Sequence, residues 1–256
     1  MNFETVSLTT ENKMKFLTKN KSWLVSVLIA SSLISTNVQA GENTDFQTWI
    51  PININLKLGE QLRGFFEIHP RIGDDTSHLT SMMIRPAIGW AITPQLSIWA
   101  GYLMSADAIK DSKFNRYTDK YGIENRAWQG LTYKDMTEDK QFIWEMRNRL
   151  EERFLSGKSD PSIRWRTRFR FEYLIPEFPS WSVIASEELF INLNDNSDDP
   201  QLQAGLNQNR GYIGIGYRFA PEFQIETGYL EQHVWRRAGK ADLNNSVWVT
   251  NLNINF

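Results

Sequence analysis

Residues 162–173 read SIRWRTRFRFEY, with arginine at 164, 166, 168 and 170 and Trp165, Thr167, Phe169 and Phe171 between them. On a helix, steps of two residues turn about 200°, which scatters the arginines over opposite faces and mixes them with the rings. On a strand, successive side chains alternate, so the four cations share one face and the aromatics take the other. Thr, Trp, Phe and Tyr also favour strands. The stretch is therefore a strand between two very different environments.

The same two-sidedness recurs along the chain. In 206–219, Ile213, Ile215, Tyr217 and Phe219 oppose Gln208, Arg210, Gly214, Gly216 and Arg218. In 140–154, Glu145, Arg147, Arg149, Glu151 and Arg153 oppose Trp144, Met146 and Leu150. Ile50, Ile52, Ile54 and Leu56 oppose Asn53 and Asn55, and Trp248, Leu252, Ile254 and Phe256 oppose Asn251, Asn253 and Asn255. Eleven strand segments can be traced, at about 46–57, 60–70, 79–92, 95–106, 122–134, 140–154, 163–175, 181–194, 206–219, 222–235 and 246–256. Junctions near 58, 93, 137, 178 and 221 are tight turns, whereas 71–78, 107–121, 155–162, 195–205 and 236–245 are longer and polar. Short turns alternating with long loops, on strands apolar outside and charged inside, predict an all-β fold: a transmembrane antiparallel up-and-down β-barrel. Single-chain bacterial barrels have even counts, so about 12 strands are expected, with 10 as the alternative.

Composition agrees. The chain is 13% aromatic yet has a mean hydropathy of −0.44, which suits rings facing lipid and charges facing a lumen. It has no cysteine, so no disulfide framework or thiolate metal site is available. Residues 14–40 carry Lys15, Lys19 and Lys21, an apolar run from Trp23 to Ile34, and a polar segment ending Val38-Gln39-Ala40. That is the form of a secretory signal peptide cleaved after Ala40. Residues 1–13 then read as an over-long start and 41–256 as a single barrel domain. The apolar run falls short of the roughly 20 residues a membrane helix needs. From Gly41 onward there are 24 Lys+Arg against 28 Asp+Glu, a net −4, which argues against a nucleic-acid partner despite the arginine run.

Basic residues sort by type. All eight lysines beyond Gly41 fall in loops or at strand ends, while twelve of sixteen arginines fall on the polar faces of strands. A buried cation favours guanidinium, which pairs bidentately with carboxylate and is less tightly hydrated. The expected lumen network comprises Arg63, Arg85, Arg126, Arg147, Arg149, Arg153, Arg164, Arg166, Arg168, Arg170, Arg210 and Arg218. Its acids are Glu67, Glu124, Glu145, Glu151, Glu172, Glu188 and Glu226. Glu145 and Glu151, on the preceding strand, are the expected partners of the arginine run.

With these motifs in view, 46–256 resembles the DUF2490 family of Gram-negative outer-membrane proteins. The likeness lies in RPAIGWAITPQLSIWAGY (85–102), ENRAWQGLTY (124–133), RNRLEERFL (147–155), RWRTRFRFEYLIP (164–176), SEELFINLND (186–195) and NQNRGYIGIGYRFAPEFQIETGYL (207–230), followed by an asparagine-rich last strand. The resemblance implies a barrel in the outer membrane, in contact with its lipid and lipopolysaccharide, and implies no activity. Phe256 resembles the terminal aromatic read by outer-membrane barrel assembly machinery.

Four functions compete, one of them adhesion or docking of a partner on the long loops, for which nothing in 107–121 or 195–205 marks a binding motif. At this size the long charged side chains fill much of the lumen, so a passive, plugged barrel is the leading expectation. A narrow anion-preferring channel is the alternative. An outer-membrane hydrolase or acyltransferase would need a nucleophile and base near the outer rim. His69, His78 and His233, with Ser77, Ser81, Asp74, Asp75 and Glu231, are the only candidates, and no catalytic motif surrounds them. No cofactor is expected. The acidic loop 194–200 lacks the glycine and distal glutamate of an EF-hand and is expected to be solvated.

Overall fold

The computed structural model describes residues 43–111, 116–237 and 239–256; the candidate leader, its cleavage site at Ala40 and the first thirteen residues lie outside them. The strands are β1 (Asn43–Trp49), β2 (Ile52–Lys57), β3 (Leu62–Gly73), β4 (His78–Ala91), β5 (Leu96–Asp111), β6 (Arg116–Met136), β7 (Phe142–Leu155), β8 (Ser162–Leu174), β9 (Trp181–Asn192), β10 (Gly205–Ala220), β11 (Phe223–Val234) and β12 (Leu243–Asn255). They form one 12-stranded sheet in which sequence neighbours pair from β2 round to β12, and both β1 and β2 pair with β12. The sheet is thus closed.

Twelve strands make eleven staves. Pro51 has no N–H to give a ladder, and the first stave breaks at Ile50-Pro51 into β1 and β2. The register runs unbroken across the gap, Trp49 beside Val249 and Ile52 beside Leu252. An odd number of up-and-down staves brings the first and last into the same direction. The closing pair is accordingly parallel, a departure from the all-antiparallel arrangement expected. It aligns the Asn-Ile-Asn of 53–55 with the Asn-Ile-Asn of 253–255, residue on residue. Asn53 donates to Asn251 (2.7 Å) and Asn253 (3.1 Å), and Asn55 to Asn255 (3.1 Å). Stacked identical amides of this kind favour parallel in-register pairing over any slipped register.

Outward residues are apolar. Ile213 is 62% exposed, and Ile88, Trp90, Ile98, Phe169, Ile215 and Trp248 share that face. A ring of contacting aromatics marks the short-turn end, including Trp181–Tyr217 (4.7 Å), Phe219–Phe223 (5.7 Å) and Phe223–Phe256 (6.2 Å). Such a girdle suits the level of lipid headgroups. Polar exceptions on the outside find each other, as Asn209 does in donating to Glu187. The inside holds most of the buried polar side chains, together with a small apolar cluster of Trp49, Val247 and Val249.

Two loops differ from expectation. Half of the 71–78 stretch is strand, closed by a tight turn through Asp74, Asp75 and Thr76, all at positive φ (55°, 54° and 62°). Asp45 on β1 holds it, its carboxylate accepting from the Asp74 (3.3 Å) and Asp75 (3.0 Å) amides. Residues 107–111 and 116–121 extend the paired strands β5 and β6, with Ala108 beside Tyr121 and Asp111 beside Arg116. Their polar sequence carries no apolar–polar alternation to mark them as strand.

Candidate functional site

The site is the lumen, and its wiring follows from the register of β7 and β8. Glu151 lies opposite Arg164 and Glu145 opposite Arg170, but Arg149 faces Arg166 and Arg147 faces Arg168. Like charges directly opposite repel, so the inner arginines reach to diagonal neighbours instead. Arg164 donates to Glu151 Oε2 from Nε (3.1 Å) and Nη2 (2.6 Å), and Arg166 donates to Glu151 Oε1 (2.7 Å) and Glu188 (2.8 Å). Arg168 donates to Glu145 (2.5 Å). Arg170 crosses to Glu226 on β11, donating to both oxygens at 3.0 Å, and also touches Glu172 (3.3 Å). Glu188 is further approached by Arg147 (3.5 Å) and Arg210 (3.8 Å). Glu151, at 1% exposure, is the hub, with Arg126 and Arg149 both 3.9 Å away.

Two smaller knots sit beside the hub. Glu124 accepts from Arg126 (2.6 and 3.0 Å) and Arg153 (2.6 and 3.1 Å). Glu67 pairs with Arg85 (2.7 Å) and with His69 (3.2 Å). Arg63 and Arg218 stand apart from this network. Arg63 turns to the backbone carbonyls of Gly59, Glu60 and Leu62 at the short-turn end, and Arg218 is exposed and, among the described residues, has no ion-pair partner. Strand alternation aims both inward, but at the rim water replaces the lumen.

Aromatic rings complete a belt across the bore. The Arg71 and Arg210 guanidiniums lie 3.8 and 4.8 Å from the Trp49 ring centre. Arg210 and Arg166 lie 4.7 and 4.5 Å from Phe190, and Arg149 lies 3.9 Å from Trp128. A ring face attracts a desolvated cation and walls it from water. The belt divides the lumen. On the short-turn side is a cavity of about 540 Å³, reaching Asn55, Gln95 and Asn255. On the long-loop side is a chamber of about 220 Å³. Arg71, Arg85, Arg166 and Arg210 line both and form the neck between them.

The outer chamber has a lid. Loop 193–204 folds inward and buries Leu202 against the chamber. Asp195 and Asp198 are exposed, as expected of a solvated loop, and the loop's polar groups also tie it to its neighbours. Asp198 accepts from the Ser159 amide and hydroxyl (both 2.6 Å), Ser197 donates to Asp160 (2.7 Å), and Gln201 donates to the Arg237 carbonyl (2.6 Å). The Ser159 hydrogen bonds, which favour the charged form, hold the Asp198 carboxyl below the usual aspartate range.

The histidines do not share one site. His69 is buried inside the belt, between Glu67 and the Nε of Arg71 (3.4 Å), rather than at the outer rim. His78 stacks on Tyr117 (5.1 Å), and His233 is pinned by Asn244 (2.5 Å) and Asp242 (3.3 Å). Among the described residues, no serine hydroxyl bonds to any of the three. Ser77 donates to the Asp74 carbonyl (2.5 Å), and the Ser81 hydroxyl is buried without a partner.

A family profile described as protein of unknown function (DUF2490) matches residues 46–244, which is the closed sheet from β1 to the start of β12. The chain belongs to the DUF2490 family. It is 30% identical over 223 residues to the uncharacterized protein MexAM1_META1p0181 of Methylorubrum extorquens, covering 86% of this chain and 93% of that one. Among solved structures, a NanC porin aligns with a TM-score of 0.49 at 11% identity, over 83% of this chain and 99% of the other. The outer-membrane expressed OmpT of Vibrio cholerae aligns at 0.40 and 13% identity, over 72% of this chain and 61% of the other.

Several residues of this DUF2490 lumen escape sequence reasoning. Arg71 falls in what reads as a loop, yet β3 continues to Gly73. Trp49, Trp128 and Phe190 stand on charged faces, where rings break the apolar-out pattern. That break is itself the available signal: a ring in phase with Arg126 or Glu188 points into the lumen. Leu202 is the one buried large apolar residue of the 193–204 loop, Leu193 being exposed.

Proposed function

We propose that this DUF2490 protein is an outer-membrane barrel that is passive and closed at rest, its lumen sealed by the arginine–glutamate–aromatic belt. The observation that carries the reading is the continuous contact chain Arg71–Trp49–Arg210–Phe190–Arg166, tied to the wall through Glu151 and Glu188, between two separate cavities. The apolar exterior and aromatic ring support residence in lipid, with the short turns periplasmic and the long loops outside. Export by the leader cleaved after Ala40, recognition of Phe256 by the assembly machinery, and contact of the outer rim with lipopolysaccharide belong to the same reading. So does the absence of catalytic turnover.

A second reading, a narrow anion-preferring channel, is favoured by the surplus of arginine over acid around the neck. Planar-bilayer recording separates the two. A passive barrel shows no steady conductance. A steady anion-selective conductance, shifted toward cations by Arg166→Glu, would replace the plug with a channel.

A further inference from the structure

The neck of the lumen is not neutralised from within. Of its four arginines, Arg85 is ion-paired with Glu67 (2.7 Å) and Arg166 with Glu151 and Glu188 (2.7 and 2.8 Å). The other two are not. Among the described residues, Arg71 has no carboxylate at ion-pair distance, and its Nε meets only the His69 ring nitrogen at 3.4 Å. Arg210 comes no closer to an acid than 3.8 Å, at Glu188. Both are held by the same ring, Trp49, which fixes where their donors point. With its amide oxygen turned toward Arg210, Gln208 accepts from Nε (2.5 Å) and Nη2 (2.9 Å), and leaves Nη1 free of that contact.

The chamber above the neck is lined by Arg71 and Arg210, by Arg85, Arg126, Arg153, Arg164 and Arg166, which Glu67, Glu124, Glu151 and Glu188 pair from the wall, and by the single acid Asp107, which accepts from the Ser105 hydroxyl at 2.7 Å. Leu202 closes it from the loop side. Its volume of 220 Å³ compares with a liquid share of about 30 Å³ per water, so it holds a compact solute with a few waters and no extended chain.

We propose that the neck is a binding site for a compact, doubly charged oxyanion of the phosphate class, held between Arg71 and Arg210. Guanidinium forks match the oxygens of such an anion, and two of them offset its two charges. Partial desolvation behind the lid strengthens both contacts. The ligand completes the charge pairing that the wall leaves unfinished, and the inference stands whether or not the lumen conducts.

The test is calorimetric titration of the mature chain in detergent micelles with inorganic phosphate, at constant ionic strength without chloride. One saturable site is expected, weakened at least about tenfold by Arg71→Gln and by Arg210→Gln and unchanged by Arg63→Gln at the far rim. Absence of saturable binding, or equal affinity in all three variants, overturns the proposal. Should either neck variant fail to fold, wild-type crystals soaked in tungstate decide. An anomalous peak within hydrogen-bonding reach of both guanidiniums supports the site, and its absence there refutes it. Conductance does not enter this test, so its outcome is separate from that of the closed-barrel reading.

Discussion

Glu151→Ala is expected to destabilise the barrel by about 3–5 kcal/mol, the cost of stranding buried charge by removing its partner. Glu151 is 1% exposed and is the sole acceptor for Arg164 among the described residues, while Arg166 would keep only Glu188. Arg126 and Arg149, both 3.9 Å away, would feel the surplus as well. A buried lysine could relieve such a loss by shedding its proton, but guanidinium stays charged in proteins. The belt must therefore stay paired or loosen. Glu151→Gln, which keeps an acceptor oxygen but not the charge, should cost less. The check is the urea midpoint of the refolded protein in vesicles, read by the mobility difference between folded and unfolded chains. A change under about 1 kcal/mol, the range of exposed ion pairs, would mean that water enters the belt and that the plug is not one.

Ile213→Arg should be nearly as damaging, for the opposite reason. Ile213 is 62% exposed in the middle of β10 and touches nothing that an arginine would disturb on the inside. In a protein surrounded by water, such a surface change stays within about 0.5 kcal/mol. On the lipid face of a barrel near the midplane it costs roughly 2–4 kcal/mol. The same urea midpoint reports it, with Ile213→Leu as the neutral companion. A neutral arginine here would place β10 in water and undo the membrane orientation. Glu151→Ala alone could not do that, since a soluble barrel with a charged core would suffer equally.

Much of this was legible in the sequence, because strand alternation projects directly onto inside and outside. The arginine run of β8 announces both its faces, and nine of the eleven traced segments end within three residues of the observed strands. The β5 and β6 segments are the exceptions, β5 running on to Asp111 and β6 beginning at Arg116. The direction of closure was harder. An even count is a rule about other barrels, whereas here Pro51 divides one stave into two strands and the repeated Asn-Ile-Asn pairs in parallel. The repeat was visible, but a two-residue period says nothing about which strand lies beside which. The identity of each ion pair was also beyond reach, since diagonal reach across β7 and β8 and the chord from Arg170 to Glu226 depend on register and bore. Ring placement at Trp49 and Phe190 was readable from phase alone.

Orientation of β8 underlies the belt, the closed lumen and the neck site alike, and it can be measured one residue at a time because the chain has no cysteine. Single cysteines at 166, 168, 169 and 171, in protein reconstituted into lipid vesicles, are probed with a lipid-soluble maleimide. Labelling at 169 and 171, with protection at 166 and 168, is the expected result. Labelling at 166 and 168 with protection at 169 and 171 would turn the barrel inside out and contradict it.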